Sequence, residues 1–160
     1  MEQLTEAQIR GAFVNLSKGA TGRATLPPSL DEQPWDDLDY LGWQDPKAPG
    51  RTYLVTAHGG RPRAIAMRLS DSGASRTRKT MCDLCLTVGS VALMVAPRAG
   101  KAGQQGDSVG VYVCTDLDCS LRVRNKRSNG TVVMEERLTV DQKVERLVAH
   151  LDTFVARVLR

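Results

Sequence analysis

Two short stretches, Cys82-Asp83-Leu84-Cys85 and Cys114-Thr115-Asp116-Leu117-Asp118-Cys119, hold all four cysteines of this 160-residue chain. Residues 86–113 lie between the pairs and leave room for a β-excursion and a return. Four thiolates that meet at one point match a closed, tetrahedral zinc site, whereas a catalytic zinc normally keeps one position open for water. The spacing therefore predicts one structural zinc ion with Cys82, Cys85, Cys114 and Cys119 as its ligands. The alternatives are two disulfides, which an oxidising compartment would favour, and unpaired thiols in the core.

The segments around the cysteines alternate between strand and turn patterns. Residues 91–96 and 109–113 read as apolar strands, and the second strand leads directly to Cys114. Residues 52–69 read as two strands joined by a tight turn at Gly59-Gly60. Residues 100–106, which are rich in glycine, are predicted to form a connecting loop. Asp116 and Asp118 favour a helix N-terminus just after Cys114, which places Cys119 in the first turn of a short helix.

Two capping-box patterns mark the outer helices. Thr5 with Gln8 opens a helix that is predicted to continue through Phe13 and Leu16, and Thr139 with Gln142 opens the second. The second helix, at about 140–159, has the clearest amphipathic pattern in the chain. The order of a Cys-x2-Cys turn, a strand, a glycine loop, a strand and a ligand-bearing helix is that of a treble-clef zinc finger, predicted within about 78–127.

These elements predict an α+β fold, with an antiparallel β-layer, flanking helices and a four-Cys treble-clef zinc finger, in one domain over 1–160. The C-terminal helix is expected to cross the β-layer. The predicted core comprises Ile9, Phe13, Leu54, Val55, Ile65, Leu93, Val95, Val111, Leu147, Leu151 and Phe154.

Charge is distributed unevenly, although the net charge is only +4. Acidic residues are concentrated before residue 51, whereas basic residues gather around the cysteines, among them Arg76 and Lys79. A basic cluster beside a metal-fixed loop indicates an anionic partner, although a solvated surface explains it equally well. The candidate partner-binding residues are Arg98, Lys101, Arg122 and Arg124. We interpret Asp36, Asp37 and Asp39 as a solvated acidic face or as partners for the protein's own arginines, and Trp35 and Trp43 as anchors on the core.

The amino-acid sequence around the cysteines resembles that of a known family. Met81-Cys82-Asp83-Leu84-Cys85 with Cys114-Thr115-Asp116-Leu117-Asp118-Cys119-Ser120 is similar to the treble-clef domain of elongation-factor-G-binding, fusidic-acid-resistance type proteins. Residues 13–19, 35–43 and 94–103 extend the resemblance over nearly the whole chain, and it is strongest to the short, single-domain FBP members. Resistance members carry a helical N-terminal domain ahead of the finger, and we expect none in this chain because its 160 residues leave no room for one.

The resemblance implies a zinc ion on Cys82, Cys85, Cys114 and Cys119, and binding to elongation factor G on or near the ribosome. The expected function is therefore a non-catalytic adaptor that binds this factor and influences its release from the ribosome. The alternative is a zinc-finger module that binds the ribosome or ribosomal RNA, because lysine and arginine neutralise phosphates.

Other function classes have little support in the sequence. No nucleophile, base and orienting group can be assembled from it, so neither an enzyme nor a small-molecule substrate is predicted. It has neither a signal-peptide pattern nor an apolar run of the ~20 residues that span a bilayer, so we expect a cytoplasmic protein with no membrane partner.

Overall fold

A computed structural model describes residues 1–70, 78–128 and 136–160 of the chain. The strands are β1 (Tyr40–Gln44), β2 (Arg51–His58), β3 (Arg61–Leu69), β4 (Arg78–Met81), β5 (Val88–Pro97) and β6 (Ser108–Cys114). The α-helices are α1 (Glu6–Ala12), α2 (Lys18–Arg23), α3 (Gly100–Gln104), α4 (Cys119–Val123) and α5 (Val140–Leu159). Arg76, one of the basic residues before the first cysteine pair, lies outside the described residues.

All the named strands form one antiparallel sheet, in the order β1-β2-β3-β5-β4 with β6 also paired to β5. Strand β5 lies at the centre of this arrangement because it pairs with other strands along both of its edges. One edge pairs with β3 through Val95 and with β4 through Val91, and the other edge pairs with β6 at the same two residues. The predicted antiparallel β-layer with flanking helices is thus confirmed.

The turn between β2 and β3 follows from its sequence. Gly59 and Gly60 have φ angles of +60° and +71°, and consecutive left-handed residues match the twist of a two-residue hairpin. This turn sets the register of the longest strand pair, from Arg51↔Arg68 to His58↔Arg61.

The two faces of the sheet are covered by different parts of the chain. On one face, α5 packs Leu147, Leu151 and Phe154 into a cluster that also contains the four cysteines. On the other face, the N-terminal segment packs Ile9 and the rings of Trp35 and Trp43 into a second cluster. Both tryptophans are buried, as expected of anchors on the core.

The predicted core is mostly confirmed, but it is divided. Ile9 and Val55 belong to the N-terminal cluster, whereas Leu54, Ile65, Val111 and the three α5 residues belong to the cysteine cluster. Phe13, Leu93 and Val95 are only half-buried. Leu93 and Val95 alternate with Ala92, Met94 and Ala96, which are buried in the cysteine cluster, because successive side chains of a strand face opposite sides of the sheet.

Two local predictions were wrong. The first helix ends at Ala12, and Phe13 forms a β-bridge with Ala64 before Ser17 caps a separate second helix. The apolar spacing of Phe13 and Leu16 suits a helix, but pairing with β3 outweighs it. The glycine-rich segment contains the short helix α3 rather than only a loop, and Gly103 is needed there because a Cβ would lie 1.9 Å from the Arg98 carbonyl oxygen.

Candidate metal centre

The first cysteine pair lies in a tight turn between β4 and β5. The Leu86 N–H donates to the Cys82 carbonyl at 3.0 Å, and the Cys82 N–H donates to the Thr87 carbonyl at 3.0 Å. Leu86 has a φ of +57°, a left-handed conformation that is uncommon for a non-glycine residue. The closed turn holds Cys82 and Cys85 side by side and points both thiols inward, where both are buried.

The second pair is built in a similar way at the end of β6. Cys114 is the last strand residue, and its carbonyl accepts from the Leu117 N–H at 3.0 Å. Leu117 is left-handed too, with a φ of +61°. Helix α4 then begins at Cys119, which confirms the predicted place of that cysteine in the first turn.

The four sulfurs meet at one point. All four Sγ atoms lie within 4.8 Å of one another, with 3.7 Å between Cys82 and Cys119 and 3.6 Å between Cys85 and Cys114. Disulfides require about 2.05 Å between sulfurs, so the cysteines here are unpaired. A tetrahedral ion with Zn–S bonds of ~2.3 Å implies sulfurs about 3.8 Å apart, which is close to both of these sulfur–sulfur distances. The donor set and its spacing therefore fit zinc.

The electrostatics of the cluster favour a cation. Hydrogen bonds from Cys114 and Cys119 lower the pKa of both Cys82 and Cys85. Hydrogen bonds with Cys114, Cys82 and Cys85 raise the pKa of Cys119. At Cys114, a hydrogen bond with Cys119 lowers the pKa, but hydrogen bonds with Cys82 and Cys85 outweigh it, so the pKa is raised. Like charges this close oppose one another, and a bound divalent cation would allow all four thiols to ionise.

Strand β1 braces the second cysteine segment along its length. The Gln44 amide donates to the Thr115 carbonyl at 2.8 Å, and the Asp39 N–H donates to the Ser120 hydroxyl at 3.0 Å. Between them, a Cβ on Gly42 would lie only 2.6 Å from the Leu117 Cβ. This contact was not predicted, because residues 39–44 and 115–120 are distant in sequence and carry no pairing signal.

Two of the candidate partner-binding residues take part in ion pairs beside the metal centre. Arg124 binds Asp39 through two contacts of 2.6 and 3.0 Å, and Arg122 pairs with Asp116. Next to them, Lys126 binds Asp37 at 2.7 Å. The acidic segment is therefore a partner for the protein's own basic residues, as the sequence suggested.

The other two candidates lie elsewhere. Arg98 pairs with Asp107 at 2.9 Å and donates to the Arg157 carbonyl near the end of α5, and Lys101 is exposed on α3. Both follow the Pro97 end of β5, whereas the cysteines lie beside its Val91 end, about 20 Å away for six residues of strand. The four candidates therefore do not form one patch.

A sheet whose turn and helix N-terminus bring four cysteines together defines a treble-clef zinc-finger domain. The model of the family described as FBP C-terminal treble-clef zinc-finger matches residues 8–158, so the chain belongs to this family. The centre accordingly holds one structural zinc ion.

Among solved structures, the chain is similar to the fusidic acid resistance protein FusC, with 19% sequence identity and a TM-score of 0.57. The alignment covers 75% of this chain and 52% of FusC, and at this identity it shows the shared fold. No curated protein sequence matches the chain. Within the three described segments, none of the helices has the length and apolarity to cross a membrane.

Proposed function

We propose that this protein is a non-catalytic adaptor that binds elongation factor G in the cytoplasm and influences its release from the ribosome. One observation carries the proposal: the match to the FBP zinc-finger family extends over residues 8–158 and includes the cysteine cluster. The resemblance of the cysteine segments to factor-binding proteins supports the choice of partner, and the fold shared with FusC agrees with it.

The form of the metal centre supports a structural rather than a catalytic role. We propose that Cys82, Cys85, Cys114 and Cys119 are all ligands of the zinc ion. Each is at most 3% exposed, so four buried sulfurs would fill the tetrahedral positions and leave none for water. The ion then fixes the turn, β6 and α4 relative to one another.

We propose Arg98, Lys101, Arg122 and Arg124 as contact residues for the factor. Arg98 lies just before α3 and Lys101 lies on it, whereas Arg122 and Arg124 lie at the end of α4. Lys101 gives the cleaner test because it is exposed, whereas reversing the charge of Arg122 or Arg124 would put a carboxylate against Asp116 or Asp39. Charges at the rim of an interface act mainly on the rate of association and on the orientation in which the partners dock. The effect of reversing such a charge on binding should therefore be largest at low salt.

The alternative function is binding to the ribosome or its RNA. The four basic residues of segment 120–128 each lie against an aspartate: Arg122, Arg124, Lys126 and Arg127 pair with Asp116, Asp39, Asp37 and Asp118. These pairs reduce the positive charge available to phosphates, and with it the counterion release that drives binding to nucleic acid. The same pairs also limit an electrostatic contact of Arg122 and Arg124 with an acidic protein face, so the choice of the protein partner rests on the family match.

Titration of the labelled, zinc-loaded protein against purified elongation factor G, and separately against ribosomal RNA, tests the proposal. We expect saturable binding to the factor, and several-fold weaker binding by Lys101→Glu at low salt. Lys18→Glu is the matched control, because Lys18 is an exposed lysine on α2 and lies in the N-terminal part of the fold. Binding to RNA but not to the factor would overturn the proposal in favour of the alternative.

A further inference from the structure

Tyr40 carries a buried hydroxyl that is unexplained by the fold. The residue lies at the start of β1 and is 1% exposed. Its hydroxyl oxygen is buried, and nothing in the described part of the chain makes a hydrogen bond with it. Buried tyrosine hydroxyls usually have a partner, and leaving such a group unpaired costs roughly 1–3 kcal/mol. The hydroxyl of Tyr40 therefore needs an acceptor that becomes available only when the neighbouring groups change their charge.

The surroundings of the ring identify that partner. Tyr40 belongs to the same buried cluster as the four cysteines. Its neighbour Asp39 contacts Ser120, and Gly42, two residues on, contacts Leu117, so Tyr40 is held beside Cys119. The ring lies against the same segment, since a Cβ at Gly42 would meet Tyr40 Cε2 at 3.0 Å and the Leu117 Cβ at 2.6 Å. The buried hydroxyl therefore lies beside the segment that carries Cys119.

We propose that Tyr40 is a positioning residue of the zinc centre, whose hydroxyl donates a hydrogen bond to the Cys119 thiolate when zinc is bound. The inference rests on the proposed role of Cys119 as a ligand. A thiolate is an ionised acceptor, and charge-assisted hydrogen bonds are roughly twice as strong as neutral ones. The bond would orient the sulfur, stabilise its negative charge and satisfy the buried hydroxyl in one step.

The arrangement also gives β1 a part in metal binding. Tyr40 pairs with Thr56 of β2, so the sheet fixes its backbone on the side away from the metal-binding segment. Because outer partners of metal ligands typically change affinity 10–100-fold, the sheet would tune the affinity for zinc through this one side chain.

Tyr40→Phe removes only the hydroxyl and tests the inference. Tyr53→Phe is the matched control, since Tyr53 is equally buried but donates its hydroxyl to Asp45 at 2.8 Å in the other part of the core. Zinc affinity is measured by competition with a chromophoric chelator, and the sulfur-to-metal charge-transfer band is recorded after cobalt substitution. The band reports the electron density on the sulfurs, which a purely structural role of the ring would not change.

We expect Tyr40→Phe to bind zinc about 10–100-fold more weakly and to shift the cobalt charge-transfer band. Tyr53→Phe should lower the melting temperature and leave the band in place. Zinc affinity within twofold of the wild type together with an unshifted band for Tyr40→Phe would overturn the role of Tyr40 while leaving the zinc centre intact. Failure of the wild-type protein to bind zinc or cobalt would instead overturn the ligand assignment, and the inference with it.

Discussion

Arg124 and Lys126 are separated by one residue, and the structure gives them different surroundings. Both bind aspartates of the same acidic segment, Asp39 and Asp37. The side chains of Arg124 and Asp39 are 17% and 8% exposed, whereas that of Lys126 is 55% exposed. The hydrogen bonds that Arg124 donates to Asp39 raise the pKa of Arg124 against the opposing effect of burial. Charge alone therefore does not separate a residue that supports the zinc centre from one that solubilises the surface.

Removal of the charge should destabilise the protein at Arg124 and have little effect at Lys126. Arg124→Gln leaves the Asp39 carboxylate buried without its cation, so we expect a loss of about 1.5–3 kcal/mol in the free energy of unfolding. Lys126→Gln, the matched control, should cost at most about 1 kcal/mol because the pair is exposed and screened by salt. Urea denaturation of the zinc-loaded variants gives both values, and equal losses would contradict the assignment of Arg124 to the buried support.

Substitution of Cys114 tests whether its sulfur is a ligand of the metal ion. Cys114→Ala removes one sulfur of the cluster, and because metal binding and folding are coupled at such sites, the variant should lose zinc and unfold more easily. Elemental analysis of the gently purified, reduced protein should show one zinc per wild-type chain and less than one in the variant. Full zinc occupancy in Cys114→Ala would exclude this cysteine from the ligands.

At the scale of elements, α5 and β1 hold the zinc centre from two sides. Helix α5 lies on the same face of the sheet as the cysteines and contributes Leu147, Leu151 and Phe154 to their cluster. Strand β1 lies along residues 115–120 and, with Asp39 just before it, contacts them through Asp39 and Gln44. The cysteines are therefore buried by elements that are remote from them in the sequence.

Truncation of α5 on its buried face should weaken the whole fold. Phe154 is 3% exposed, so Phe154→Ala should cost roughly 3–5 kcal/mol of unfolding free energy through lost burial and a residual cavity. Val148, on the same helix, is 38% exposed, and Val148→Ala should change stability by no more than about 0.5 kcal/mol. Chemical denaturation measures both, and a small effect at Phe154 would contradict the packing of α5 on the sheet.

Gly42 is where β1 and the cysteine segment come closest. Gly42→Ala would place a methyl group 2.6 Å from the Leu117 Cβ, so either β1 or the left-handed turn at Leu117 must move. We expect lower stability and weaker zinc binding together, measured by thermal unfolding and by chelator competition. Gly22→Ala is the control, since a Cβ at Gly22 meets nothing within 4 Å. Zinc affinity unchanged in Gly42→Ala would show that β1 does not constrain the centre.

The elements that the sequence predicts well are those specified by local signals. Thr139 and Gln142 form the predicted capping box of α5, and Gly59-Gly60 forms the predicted hairpin turn. The cysteine spacing, which depends on a turn and a helix N-terminus, predicts the cluster itself. The prediction of one long first helix fails because of a contact with a distant segment, the bridge from Phe13 to Ala64, and the contact of β1 with residues 115–120 was not predicted at all. No pattern within a single segment encodes such contacts.

At the scale of the whole molecule, a single sheet joins two cores. The zinc centre and α5 lie on one face, and the N-terminal cluster with Trp35, Trp43 and Tyr53 lies on the other. Strand β1 contributes to both, with Tyr40 in the cysteine cluster and Leu41 and Trp43 in the N-terminal one. A change at the metal centre is therefore expected to alter the stability of the N-terminal half through this strand.

The pH dependence of stability should separate the two cores. Zinc stabilises the folded state by about 2.7 kcal/mol when free zinc is 100-fold above its dissociation constant, and this contribution should shrink as protons compete for the thiolates on lowering the pH. A second loss should come from Asp45 in the N-terminal core. Burial raises the pKa of Asp45, but hydrogen bonds from the Lys47 N–H, Tyr53 and Thr25 outweigh it, so the pKa is lowered in the fold.

A carboxyl whose folded pKa is depressed adds stability above its unfolded pKa of about 3.9, and loses it as the pH falls through the folded value. Melting temperatures between pH 3 and 8, measured with zinc or with EDTA, should therefore fall in two stages for the wild type. EDTA should remove only the stage at higher pH, and Asp45→Asn only the stage below about pH 4. If EDTA left the curve unchanged at neutral pH, zinc would not stabilise the fold. If Asp45→Asn kept the acid stage, another group would be responsible for it.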